Sequence, residues 1–207
     1  MKTLHQSDDK SRWLKALGLP KKMNLPQSAF RLLLYEKGEL LVNPEQPMEN
    51  LLFVCAGEVH IYGLREDGST FSVYLADQRI ILGDLEFIRQ TDLPFYTEAT
   101  SDVICLSLFA ARHRKELEQN PAFLTFLLES LAEKFQLIFL LGNPSQPVAE
   151  KLETYLREIE PDHEIKSIRA LTQKLQCSRA QLQRAVRGLC EEKKLVKLGK
   201  GHYRLSL

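Results

Sequence analysis

The chain has 207 residues, 44% of them hydrophobic, and sets 28 Lys/Arg against 27 Asp/Glu for a net charge of +1. That length allows one or two domains, and the apolar content is ample for a packed core. No apolar run approaches the roughly 20 residues that span a bilayer, and the opening MKTLHQSDDK lacks the apolar stretch of a signal peptide, so a soluble cytoplasmic protein with no membrane partner is expected.

Residues 1–30 read as a helical lead-in, in which Asp8 or Asp9 caps a segment bearing Trp13, Leu14 and Leu17 that Gly18 and Pro20 close. From about Phe30 to Leu108 the texture changes to short β-rich runs: Arg31–Tyr35, Leu51–Cys55, Val59–Tyr62, Phe71–Leu75, Arg79–Leu82 and Val103–Leu108. Lys37-Gly38, Ala56-Gly57, Asp67-Gly68 and Gly83-Asp84 punctuate them, the pattern of an antiparallel barrel or jelly roll. Cys55, Cys105, Cys177 and Cys190 show no C-x-x-C pair and no metal-ligand spacing, and each reads as a small buried hydrophobe. A redox pair between Cys55 and Cys105 stays open if the two are neighbours in one sheet domain.

Asn120-Pro121 then starts a long helix that runs to about Leu141, with Asn120 as its cap and Pro121 in the first helical position. Leu124, Leu128, Leu131, Phe135 and Ile138 are spaced 4-3-4-3, the seam of a coiled coil, while Phe123, Leu127, Leu137, Phe139 and Leu140 widen the apolar surface. One arc is therefore expected on the β domain and the seam on a second subunit; the alternative is a helix buried wholly within one chain. Gly142-Asn143-Pro144-Ser145-Gln146-Pro147 breaks the helix and reads as a hinge. Val148–Glu160 forms the next helix, ended by Pro161-Asp162.

In Ser167–Leu207, Ile168, Leu171 and Leu175 mark a short amphipathic segment, with a turn at Gln176-Cys177. Ser178 and Gln181 make the S-x-x-Q pattern of a capping box. Leu182, Ala185, Val186 and Leu189 give the following helix one apolar side, and Ala180, Gln183, Arg184 and Arg187 fall opposite, with Arg179 at the tip. Leu195–Leu198 and His202–Leu205 flank Gly199-Lys200-Gly201 as a hairpin wing. Residues 165–207 hold eleven Lys/Arg and two Asp/Glu, a local +9 in a chain of +1. Cap, turn, wing and charge agree on a winged helix-turn-helix that binds DNA, rather than a solvated basic hairpin.

This order of parts resembles the Crp/Fnr family of bacterial transcription regulators over nearly the whole chain from about Phe30. The likeness rests most on Cys177-Ser178-Arg179 with Arg184, and on Gly38, Gly57, Gly68 and Gly83. It implies an α+β fold: an antiparallel, jelly-roll-like β-roll and effector domain over 1–119, a dimerisation helix over 120–142, a hinge at 143–147 and a winged helix-turn-helix over 148–207. It implies a homodimer on a pseudo-palindromic operator in double-stranded DNA, recognition helix 178–192 in the major groove, and RNA polymerase as a further partner of an activator. The DNA-contacting set is then Ser178, Arg179, Gln181, Gln183, Arg184, Arg187 and Lys200. A small-molecule effector, of unknown identity, would sit near Gly83, Asp84, Leu85, Glu86, Phe95 and Tyr96.

The departures are specific. Gly83-Asp84-Leu85-Glu86 matches the start of the cyclic-nucleotide cassette, but the position of its phosphate-binding Arg falls near Leu93-Pro94-Phe95-Tyr96, and Arg89 comes too early. A cyclic phosphate without that charge-assisted contact would lose hydration with little return, so cAMP is not the expected effector. No Cys precedes Cys55, where iron–sulfur members need a cluster, and His60 alone does not make a haem site. Ala180 stands where many members carry Glu, Gln176 where the turn usually has Gly, and Thr172 where helices usually cross at Ala. Gln183 is suited to adenine. A cupin-like enzyme is the rival reading, but His5, His60, His113, His163 and His202 are scattered. No enzyme, cofactor or metal is called for, and a constitutive DNA-binding protein without an effector is the nearer alternative.

Overall fold

The computed structural model describes residues 1–4, 7–76, 80–141, 146–160, 162–165, 167–175 and 177–206. Strand β1 (Lys2–Leu4) opens the chain, followed by helices α1 (Ser7–Ala16) and α2 (Leu19–Met23) and strand β2 (Phe30–Tyr35). The lead-in is thus not helical throughout. Three residues carry no periodicity of their own, and β1 is a strand because it pairs antiparallel along β2, Lys2 opposite Leu34 and Leu4 opposite Leu32. The Met1 ammonium pairs with Glu39 and Lys2 with Glu36, which pins this edge. Pro20 begins a helix instead of ending one: Gly18 turns the chain at φ 65°, and Pro20 sits in the first turn of α2, where a missing N–H leaves no bond unmade.

The rest of the first half comprises β3 (Leu40–Val42), β4 (Asn50–Ala56), β5 (Val59–Leu64), β6 (Thr70–Ala76), β7 (Ile81–Leu82), α3 (Asp84–Arg89), β8 (Tyr96–Ala99), β9 (Val103–Phe109) and α4 (Ala110–Glu118). These strands form two antiparallel sheets, one in the order β1-β2-β9-β4-β7 and the other β3-β8-β5-β6. Helix α5 (Pro121–Leu141) follows, then α6 (Val148–Glu158), β10 (Glu164–Ile165), α7 (Ile168–Lys174), α8 (Arg179–Glu191), β11 (Leu195–Gly199) and β12 (His202–Leu205). The chain divides into two compact units, Met1–Ala132 and Glu133–Leu207.

The first sheet explains why its strands read as nearly continuous apolar runs: both faces are covered. Phe30, Leu32, Leu51, Phe53, Leu106 and Leu108 point to one side, into a core closed by Leu14, Leu19, Met23, Leu117, Phe123 and Leu127 from the helices. Leu33, Tyr35, Leu52, Val54, Val103 and Cys105 point to the other, against Val59, Ala76 and Ala99 of the second sheet. Cys55 belongs to the first core and Cys105 to the second, so the two thiols lie on opposite faces of the sheet and are not a redox pair. Burial raises both, Cys55 to about 11. Gly57 is required at the β4–β5 turn: φ is 93°, and a Cβ would lie 2.2 Å from the Asp102 carbonyl oxygen.

The Asn120 side-chain oxygen accepts from the backbone N–H groups of Ala122 (3.0 Å) and Phe123 (3.2 Å), capping α5 with Pro121 in its first turn. The strand expected from Arg79 is β7, shortened to Ile81–Leu82, with Arg79 outside the described residues. Gly142–Ser145 of the expected hinge, Pro161 and Gln176 also lie outside them, as do the side chains of Leu137, Phe139 and Leu140. No described helix is long and apolar enough to cross a membrane.

Candidate nucleic-acid interface

In the second unit Leu152, Tyr155, Leu156, Leu171, Leu175, Leu182, Ala185, Val186 and Leu189 pack into one core with Ile165, Leu195 and Leu205 of the small sheet β10-β12-β11. Burying the Leu182/Ala185/Val186/Leu189 side of α8 turns Arg179, Gln183, Arg184 and Arg187 outward, and all four are exposed. Both arms of the capping box are present. Ser178 Oγ accepts from the Gln181 N–H at 3.2 Å, and Gln181 Oε1 accepts from the Ser178 N–H at 2.8 Å. Such a cap stabilises a helix end by about 1 kcal/mol and fixes where the exposed arginines begin.

The wing adds the opposing wall. Strands β11 and β12 pair with Lys197 opposite Tyr203, and alternation sends both to the same face. A groove of about 770 Å³ runs between α8 and the wing, lined by Arg179, Gln183 and Arg187 on the helix and Lys197, Lys200 and Tyr203 on the wing, with Val186 and Cys190 at its side. Among the described residues four cations and no carboxylate line it, which suits a polyanion. Ser178, Gln181 and Arg184 are outside this groove; the first two are engaged in the cap, and Arg184 stands free on the adjacent surface. Lys197 and Tyr203 were not singled out from the sequence, although period-two alternation across the Gly199-Lys200-Gly201 turn places them beside each other.

One carboxylate holds the wing to the body of the unit. Glu164 on β10 accepts from His202 Nε2 at 2.7 Å and from Arg204 Nε at 2.8 Å, and these two donors hold its carboxyl below the usual range. On the helical side, Lys174 Nζ donates to the Tyr155 hydroxyl at 3.1 Å and that hydroxyl donates to Glu160 at 2.9 Å. Glu153 bridges Arg157 on its own helix to Lys194 at the start of the wing.

In the first unit the residues expected around an effector separate into two places. Gly83 adopts φ 84° before α3, where a Cβ would lie 2.3 Å from the Asn50 carbonyl oxygen. Asp84 is buried, its Oδ1 accepting from the Leu85 N–H at 3.0 Å. Gly83 and Glu86 line a cavity of about 190 Å³ with Asn50, Phe87 and Arg114. Phe95 and Tyr96 do not reach it. Phe95 stands edge-on to Phe71 at 6.5 Å, and Tyr96 opens β8 opposite Tyr62, where strand alternation turns it to the outer face. Arg89 ends α3 in an exposed position.

Residues 32–120 match the family model of the cyclic nucleotide-binding domain. Among solved structures the chain is similar to FixK2 from Bradyrhizobium japonicum, at 20% identity over 85% of this chain and 92% of that one, with a TM-score of 0.64. It is similar to CooA from Carboxydothermus hydrogenoformans, at 14% identity over 99% and 93% with a TM-score of 0.64. It is also similar to the c-di-GMP responsive global regulator CLP of Xanthomonas campestris, at 14% identity over 93% and 100% with a TM-score of 0.59. The chain has the Crp/Fnr fold. No curated protein matches by sequence.

Within the Crp/Fnr fold, the long helix α5 shows two kinds of position. Phe123 and Leu127 are buried in the first unit, Phe123 edge-on to Phe87 of α3 at 5.6 Å. Leu124, Leu128, Phe135 and Ile138 are exposed, Leu128 at 66%, and Leu131 is half-buried. At Gly63 a Cβ would lie 2.4 Å from the ring of the cross-strand Phe71, which packs directly on that glycine's backbone. Among the described residues no group of three or more His, Cys, Asp and Glu is placed to hold a metal ion.

Proposed function

We propose that the protein is a homodimeric, sequence-specific DNA-binding transcription regulator of the Crp/Fnr type. The observation that carries this reading is the carboxylate-free groove between α8 and the wing, with Arg179, Arg187, Lys197 and Lys200 around it, beside an exposed Arg184. Recognition helix 178–192 enters the major groove, where Arg184 makes a bidentate contact with guanine and Gln183 reads a neighbouring base. Arg179, Arg187 and Lys200 hold phosphates and set the register. Residues 120–142 form the dimerisation helix through Leu124, Leu128, Leu131, Phe135 and Ile138, and 143–147 the hinge to the winged helix 148–207. The exposure of four of those five apolar side chains supports that role. The protein acts in the cytoplasm, on its operator and, as an activator, with RNA polymerase.

The β-roll senses an effector other than cAMP. No Arg stands among Leu93–Tyr96, and Arg89, the arginine nearest in sequence, is exposed at the end of α3. A second reading, constitutive DNA binding without an effector, is favoured by the absence of an arginine among Leu93–Tyr96.

The test begins with selection of a preferred site from random DNA, followed by titrations across salt concentration. Arg184→Ala should lose about 1–3 kcal/mol per half-site and relax preference at one base pair in each half. Lys200→Ala should weaken specific and non-specific binding alike and flatten the salt dependence by about one unit per contact. Full affinity and preference in Arg184→Ala, with lost base discrimination in Lys200→Ala, would reverse the roles of helix and wing.

A further inference from the structure

The second sheet of the β-roll has an inner face, fixed by Val59, Ala76 and Ala99 in the core, so the alternate positions define its outer face. Cross-strand register, with irregularities between Leu40 and Val42 and between Ile61 and Tyr62, assigns that face. His60 lies opposite Leu75 and Glu98, Tyr62 opposite Ser72 and Tyr96, Leu64 opposite Thr70, and Leu40 opposite Glu98. An outer sheet face in water ordinarily alternates to polar side chains. This one carries two stacked tyrosines, Tyr62 and Tyr96, with ring centroids 5.4 Å apart and planes 12° from parallel. His60 adds a third ring 5.3 Å from Tyr62, and Leu40 and Leu64 flank the group at 40% and 49% exposure.

Glu98 lies directly across the strand pair from His60, one register step from Tyr62, and burial together with its charge raises the Tyr62 phenol, while the His60 ring Nε2 is 2.9 Å from Ser72 Oγ. Burial holds the His60 imidazole below its usual range against the pull of Glu98. None of the residues that the register places on this face is Lys or Arg. The face therefore presents aromatic π-surface around one carboxylate. A planar guanidinium satisfies both at once, stacking on tyrosine while donating to the carboxylate, as an ammonium does less well. The unit around it is acidic: residues 1–132 hold 14 Lys/Arg and 18 Asp/Glu.

We infer that the outer face of the β3-β8-β5-β6 sheet docks a protein segment carrying arginine, with Tyr62, Tyr96 and Glu98 as the receiving group. A second copy using the same face would set Glu98 against Glu98 and offer no cation to either. A phosphate-bearing partner would meet the carboxylate with like charge.

Full-length, isotope-labelled protein is titrated by NMR with a capped Gly-Arg-Gly-Arg-Gly peptide and with its citrulline and lysine counterparts. The expected result is a saturable shift at millimolar concentration, centred on His60, Tyr62, Tyr96 and Glu98. The citrulline peptide should bind about tenfold more weakly, as should the arginine peptide to Glu98→Gln, the loss of one charge-assisted contact. Tyr96→Ala should abolish the shift, and Glu98→Gln, which keeps both rings, carries the test if Tyr96→Ala misfolds. Equal binding of the citrulline peptide, shifts scattered elsewhere, or no shift would overturn the inference. So would sedimentation showing self-association that Glu98→Gln strengthens, which would make a second copy the occupant.

Discussion

Phe123→Ala separates the two arcs of α5. Phe123 is fully buried and edge-on to Phe87, so its removal opens a cavity between α5, α3 and the first sheet. Truncating a buried phenylalanine destabilises by about 3–5 kcal/mol, a large share of the roughly 5–15 kcal/mol that holds a domain folded. With a urea slope of about 2 kcal/mol per molar, the unfolding midpoint should fall by about 1.5–2.5 M. Trp13, the single tryptophan, packs against this same core, and its fluorescence reports the unfolding of the first unit. Leu128→Ala is the control five residues along the helix, at a position 66% exposed, and should cost no more than about 0.5 kcal/mol, a midpoint shift of about 0.25 M, at low protein concentration. In the proposed dimer its effect should instead grow with concentration, because association through a seam that includes Leu128 would add stability by mass action. A midpoint shift below about 0.5 M for Phe123→Ala, or an equal shift for Leu128→Ala in dilute protein, would refute this division of the helix.

Cyclic nucleotides provide another test: a ligand at 100 times its dissociation constant adds about 2.7 kcal/mol, so cAMP or cGMP at millimolar concentration should leave the melting temperature unchanged, and clear stabilisation by either would restore a nucleotide site. The second unit should be alkali-sensitive through Tyr155, whose hydroxyl burial pushes up to about 12 from 10.0. The stabilising neutral phenol is fully present below pH 10 and lost between pH 10 and about 12, so amide protection in α6 and α8 should fall across that window and Tyr155→Phe should flatten the fall. An undiminished fall in Tyr155→Phe would place the titration elsewhere.

Much of this was legible because a single physical signal dominated locally. The S-x-x-Q cap, the Asn120-Pro121 helix start and the Gly199-Lys200-Gly201 turn each specify backbone geometry within a few residues, and α8 and α5 follow from them. The first sheet was legible as apolar runs because both its faces are buried. What escaped is short or made by tertiary partners. Strand β1 exists only along the edge of β2, β10 is two residues paired with β12 and held there by Glu164, which accepts from His202 and Arg204, and α3 is under two turns. Phe95 and Tyr96 looked like a pocket wall because they are adjacent and apolar, but β8 begins at Tyr96 and its alternation sends the two rings to different surroundings. Lys197 escaped for the opposite reason: its meaning depends on a groove that only the folded wing creates.

The central claim is that two copies of this chain read one duplex through α8. Sedimentation of the protein with its selected site, against a scrambled duplex of equal length, measures stoichiometry and preference together. Two chains per selected duplex, half-sites about 34 Å apart and affinity that falls steeply with salt are expected. One chain per duplex, or equal affinity for the scrambled DNA at every salt concentration, would contradict that claim.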